Sequence, residues 1–145
     1  RRMGPENFID FQSGIGACHV GLGSHQEAVA YCEQSLDLTR DYGDRPGEAS
    51  ALMTLGKAYQ HLGQAEPAVT HYRLALDVIR NLGDRYYEAD TLSRMGDTQH
   101  TAGDDNAARA AWRQALVILD ELGHADADHL RTKLGTPPPD PRHLA

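Results

Sequence analysis

Eight histidines and two cysteines are the residues of this 145-residue chain best suited to hold a metal or form a reactive centre. Their spacing favours neither. No His-x-x-x-His or Cys-x-x-Cys pair occurs, so the arrangements that one helical turn or a tight loop presents to zinc are missing. Asp97 and His100, at i and i+3, can share a helix face, where a surface hydrogen bond is the simpler outcome than a metal site. Cys18 and Cys32 fall where small or buried residues belong. A disulfide between them would need an oxidising compartment, so two buried thiols are expected. Gly14-x-Gly16 has no third glycine and no preceding strand, and it is no dinucleotide loop. Gly-x-Ser-x-Gly and phosphate-loop patterns are absent as well. The expectation is a chain with no catalytic residues, no cofactor and no metal: not an enzyme.

Composition narrows the remaining classes. Hydrophobic residues make up 40% and aromatics 6%, and alanine and leucine, both good helix formers, carry most of the apolar content. The longest apolar stretch, Ala115–Leu119, falls far short of the ~20 residues needed to cross a bilayer. Arg1-Arg2-Met3-Gly4-Pro5 is followed by no apolar run, so a secretory signal is not visible and a cytoplasmic protein is the default. A net charge of −7 argues against direct nucleic-acid binding, which calls for a basic stripe. Arginine outnumbers lysine twelve to two, as codon bias in a high-GC genome would produce. Because the first residue is Arg1, the chain reads as a piece of a longer one, with Met3 as a natural start the alternative.

The strongest regularity is a period of 40 residues. Gly16, Gly56 and Gly96 keep that step, as do Gly23, Gly63 and Gly103, Gly43, Gly83 and Gly123, Ala28, Ala68 and Ala108, and Leu36, Leu76 and Leu116. Each unit reads as two helices. Ala51, Leu52, Leu55, Ala58, Tyr59 and Leu62 form an amphipathic stripe over 47–62, and Ala68, Tyr72, Ala75, Leu76 and Ile79 form a second. Gly63 separates them and Gly83 ends the pair. Residues 88–102 and 104–122 repeat the pattern, and 7–22 and 24–42 do so more loosely. Ser24 and Glu27 have the form of a capping box, and Asp104 can cap its helix. One hairpin cannot bury its own apolar face, so three must stack and their ends must be closed. Residues 125–134, with Ala127, Leu130 and Leu134 on one side, supply a capping helix whose outer side carries Asp128, Arg131 and Lys133. The Pro-rich residues 135–145 cannot continue it. The expected fold is an all-α, right-handed solenoid over 1–134, with hairpins at about 7–42, 47–82 and 87–122.

Leu52, Leu55, Gly56, Tyr59, Ala68, Tyr72 and Ala75 fall where the tetratricopeptide repeat places its signature residues, and Leu92, Met95, Gly96, Ala108, Trp112 and Ala115 do so one period later. The chain resembles that family, with Gln99 departing at the tyrosine position. The family period is 34, and the six added residues are expected to lengthen the second helix. The Gly-Asp-Arg junctions, Leu-Gly-Asp-Arg at 82–85, and the final Glu121-Leu122-Gly123 segment also resemble the C-terminal repeats of actinobacterial antibiotic regulatory proteins and related ATP-dependent transcription activators.

The tetratricopeptide resemblance implies a protein or peptide partner held in a concave groove. By its register the groove is lined by Asp10 and Ser13 in the first unit, Ser50, Met53, Lys57, Gln60 and His61 in the second, and Asp90, Ser93, Arg94, Asp97, His100 and Thr101 in the third. Of the lysine, asparagine and arginine set with which some members hold a C-terminal carboxylate, only Lys57 and Arg94 have counterparts, and Asp97 opposes them. The regulator resemblance implies a sensor or autoregulatory arm that contacts upstream domains of its own chain. The alternatives are a free-standing adaptor or peptide receptor, and a self-assembly module. In the last case Phe8, Ile9 and Phe11, on an uncapped first hairpin, would support a homodimer.

Overall fold

The computed structural model describes residues 25–136. Asp10, Ser13, Cys18, the three apolar residues Phe8, Ile9 and Phe11, Ser24 of the capping box and the proline run therefore lie outside the described residues. Six helices form there: α1 (His25–Tyr42), α2 (Arg45–His61), α3 (Ala65–Leu82), α4 (Arg85–Thr101), α5 (Asp105–Leu122) and α6 (Asp126–Leu134). There is no strand among the described residues, and no described helix is long and apolar enough to cross a membrane. The chain divides into two compact units after Asp84, the first holding α1–α3 and the second α4–α6.

Helix α2 begins two residues earlier than the apolar pattern places it. Asp44, read from the sequence as part of a junction, is the N-cap: its carboxylate accepts from the Gly47 amide at 3.0 Å. Pro46 fits the first turn, where its missing N–H costs nothing. Asp104 caps α5 in the same way, accepting from Ala107 N at 3.2 Å, as expected. Gly83 ends α3 at φ 74°, a left-handed conformation that a side chain would strain. In the second repeat the first helix has 17 residues and the second 18. The length of the repeat is thus shared between both helices rather than added to the second alone, because the Asp-Arg junction is itself the start of a helix.

Inside the α2–α3 and α4–α5 hairpins one glycine and one large ring fit together. A Cβ on Gly56 would stand 2.5 Å from the Tyr72 ring, and one on Gly96 would stand 2.5 Å from the Trp112 indole. The glycines therefore allow the aromatic side chains of α3 and α5 to lie directly on the backbones of α2 and α4. Tyr72 is wholly buried, and covering a side chain of that size contributes roughly 2–3 kcal/mol of transfer free energy. In the first unit Cys32 and Leu36 of α1, Leu52, Met53 and Leu55 of α2, and Val78 and Ile79 of α3 form one apolar cluster.

Helix α6 buries Ala127, Leu130 and Leu134 as the sequence indicates. Arg131, expected on its outer side, is buried instead, donating to Asp120 of α5 and, at 2.7 Å, to Asp128. Its partner on α5 could not be inferred from α6 alone.

Candidate functional site

Within the second unit, α4, α5 and α6 form an open pocket of about 520 Å³ lined by Asp97, His100, Thr101, Asp105, Arg109, Trp112 and Lys133. That volume lies in the range of sites that take small ligands or a few side chains. Each lining residue is placed by a local feature of the sequence. Asp97 follows Gly96 directly, so the Trp112 ring that rests on the glycine also meets the carboxylate: Trp112 Nε1 donates to Asp97 Oδ1 at 3.1 Å. Lys133, one residue before the end of α6, donates to the same oxygen at 2.7 Å and sits 5.6 Å from the Trp112 ring centre. An ammonium is thereby held by one carboxylate and one aromatic face.

The other wall is built from the α4–α5 turn. His100 Nδ1 lies 2.8 Å from Asp105 Oδ1, and because a carboxylate only accepts, the nitrogen carries the proton. The His100 ring is also 5.5 Å from Trp112. Arg109, one turn further along α5, sends Nη2 to the Leu134 carbonyl at 3.0 Å and so ties the end of α6 to the pocket. Thr101 spends its hydroxyl hydrogen on the Asp97 carbonyl at 3.0 Å, leaving lone pairs that can accept.

The residues expected to line a groove are distributed unevenly. Asp97, His100 and Thr101 reach the pocket. Asp90 and Arg94 pair with each other at 3.2 Å, and Ser93 is half-buried beside them. In the first unit Ser50 is exposed and Lys57 half-buried, Gln60 accepts from the Tyr72 hydroxyl at 2.8 Å, and His61 stacks on His25 with ring centres 4.6 Å apart. Met53 departs from the expectation: it belongs to the buried apolar cluster, so its side chain is packing rather than binding surface.

Sequence reasoning passed over Asp105 and Arg109, and it placed Lys133 on the outer side of α6, whereas the ammonium turns to Asp97 and lines the pocket. Arg109 had a visible signal, since the register that holds Val29 and Val69 holds a guanidinium there. Trp112, expected as a core residue, is one at 5% exposure, and its remaining edge also lines the pocket. Among the described residues no group of three or more potential ligands is placed to hold a metal.

Residues 9–81, and again 49–121, match the sequence profile of the tetratricopeptide repeat. No curated protein matches the chain in sequence. Among solved structures, the TPR domain of Arabidopsis FLU superposes with a TM-score of 0.76 at 15% identity, covering 81% of this chain and 99% of that one. BtubC (BKLC) from P. vanneervenii gives 0.84 at 19% identity over 93% of this chain and 57% of its own. The Rap protein complexed with Competence and Sporulation Factor gives 0.79 at 19% over 92% and 37%. At such identities the likeness shows the fold, an all-α arrangement of the tetratricopeptide solenoid class.

Proposed function

Because the chain belongs to the tetratricopeptide repeat family, we propose that it binds a protein or peptide segment, and that the pocket between α4, α5 and α6 receives part of it. The observation that carries this reading is the pocket's construction. Three consecutive helices bring one aromatic edge, a threonine hydroxyl, an imidazole and charged groups of both signs around a single opening, a set of polar groups able to fix a ligand's orientation. Repeat folds present extended surfaces to partners, and the structurally similar Rap protein was solved with Competence and Sporulation Factor bound. A binding module accounts for the family and the pocket without any chemistry of bond making. The arm-of-a-regulator reading adds a partner, upstream domains of the same chain, and rests on the junction residues alone.

Peptides selected from a displayed random library against the 145-residue chain provide the test, titrated by calorimetry on the wild type and on Thr101→Phe. Thr101 is exposed at the pocket, so a phenyl ring there fills the opening without touching the core. Binding that the substitution removes supports the pocket. Equal affinity for both proteins sinks it.

A further inference from the structure

Asp105 and Arg109 stand at i and i+4 on α5, the spacing at which an acid followed by a base forms a helix-surface ion pair. Both line the pocket, and they do not pair with each other. Asp105 is turned to a ring nitrogen of His100 and Arg109 to the Leu134 carbonyl. The Leu134 carbonyl carries no formal charge, and the imidazole is a counter-charge for Asp105 only when protonated, in contrast to Asp97, which has the Lys133 ammonium. The pocket therefore offers a guanidinium without an ionic partner and an exposed carboxylate matched only to an imidazole, their Cβ atoms about 5–6 Å apart by helix geometry. Asp105 is well placed to receive a ligand, with 69% of its side chain exposed. Arg109 keeps most of its five N–H donors after the bond to Leu134.

We propose that the pocket selects a peptide segment carrying a basic and an acidic side chain close together, the base seated on Asp105 and the acid on Arg109, with the chain between them lying against the Trp112 edge. This rests on the peptide-binding reading of the same pocket. In an extended chain, residues i and i+2 share a face about 6.4–6.8 Å apart, slightly wider than the Cβ separation of Asp105 and Arg109. A purely acidic segment would meet Asp97 and Asp105, and a purely basic one would meet Arg109 and Lys133. Only a segment with both signs satisfies both groups. Thr101, whose oxygen still accepts, lies in the same lining for a backbone N–H.

Trp112 is the chain's single tryptophan, so its emission reports on this pocket alone. The probes are acetyl-Gly-Arg-Ala-Glu-Gly-amide and its Arg-Ala-Arg and Glu-Ala-Glu counterparts, titrated at low salt. The mixed peptide is expected to change Trp112 emission saturably. Its affinity should fall by about tenfold or more in Asp105→Asn and in Arg109→Gln, the loss expected for one charge-assisted hydrogen bond. Circular dichroism checks that Arg109→Gln keeps its helices, and Asp105→Asn, at an exposed position, carries the test if it does not. Equal or tighter binding of either single-sign peptide, or indifference to Asp105→Asn, overturns the charge pairing while leaving a peptide pocket in place. Silence of Trp112 toward all three probes and toward library-selected peptides overturns the pocket itself.

Discussion

Arg131 on the last helix donates to Asp120 on the helix before it, and the pair runs opposite in sign to the one two periods earlier, where Arg40 of α1 donates to Glu48 of α2 at 3.2 Å. Positions 40 and 120 share one register of the repeat. At the first junction the longer helix supplies the base and the next helix supplies the acid, with Arg45 adding a second bond to Glu48 at 2.9 Å. At the last junction the roles are exchanged. Helix α6 thus carries a charge that suits the end of α5 and would meet another cation at a junction built like the first.

Reversing one member of that pair should loosen α6. In Asp120→Arg two guanidinium groups face each other beside a buried position, and truncation or reversal of one partner of such a pair leaves the other uncompensated. Amide exchange over 126–134 and tryptic cleavage after Arg131 or Lys133 should both accelerate, while α1–α3 keep their protection. The double variant Asp120→Arg, Arg131→Glu restores the sign relationship of the first junction and should recover part of the protection, since position 131 regains its partner on α5 but loses the one at Asp128. Unchanged exchange in the single variant would show that Ala127, Leu130 and Leu134 hold the helix unaided.

The contact between Gly96 and Trp112 sets a second expectation. A methyl group at Gly96 would lie 2.5 Å from the indole and 3.1 Å from the Ala108 carbonyl, so helix and ring must separate. Gly96→Ala should cost about 1–3 kcal/mol by overpacking, although alanine is the better helix former. Trp112→Ala should cost roughly 3–5 kcal/mol. Ser50→Ala, at an exposed position, should leave stability nearly unchanged in the same denaturant titrations. A Gly96→Ala chain as stable as wild type would mean that the two helices do not approach as closely as described.

The repeat made this pairing readable in advance. Glycine at 56 and 96, alanine at 68 and 108, and an aromatic at 72 and 112 recur in one register, and only close helix contact against a ring explains the combination. The helix starts were harder to place because Asp44 and Arg45, although repeated at 84 and 85, are polar and add nothing to the apolar stripe, yet one caps the helix and the next begins it. Met53 was misplaced since a flexible apolar side chain at a groove register can turn inward to fill space. The pocket was the least legible part. Arg109 and Lys133 acquire their roles only once the Leu134 carbonyl and Asp97 are brought beside them, and those contacts join residues 25 and 36 positions apart.

Cys32 should behave as an inert thiol. It is wholly buried in the first unit, and burial, followed by the nearby Glu33 charge, pushes its pKa from 9.0 up to about 11. That leaves about a hundredfold less thiolate at pH 8 than an ordinary cysteine has. In a Cys18→Ser background, a colorimetric thiol reagent should react only as fast as the protein unfolds. The folded chain keeps this proton where the unfolded chain has lost it, so the group's stabilising effect is present below about pH 9 and fades as pH rises towards 11. Cys32→Val should lack that part of the alkaline decline. Prompt labelling of native protein at pH 8 would contradict the burial.

Gln99 stands one period after Tyr59, and the two positions are satisfied differently. Tyr59 stacks on His71 with ring centres 5.1 Å apart and donates to Glu33 at 3.4 Å. Burial and the Glu33 carboxylate raise its pKa. Gln99 is 7% exposed, and its Oε1 is buried with no hydrogen-bond donor. A buried carbonyl left in that state costs about 1–3 kcal/mol, whereas an apolar group of similar size carries no such penalty. Gln99→Leu keeps most of the volume and removes the acceptor, so it should raise stability by roughly 1 kcal/mol and the thermal midpoint by about 2–5 °C. Gln99→Ala separates the two contributions, since it removes the acceptor but opens a cavity and should be neutral or destabilising. Denaturant and thermal unfolding of the three proteins provide the comparison. If Gln99→Leu proves less stable than wild type, the amide oxygen is satisfied in solution, and the departure from tyrosine at this register contributes to stability.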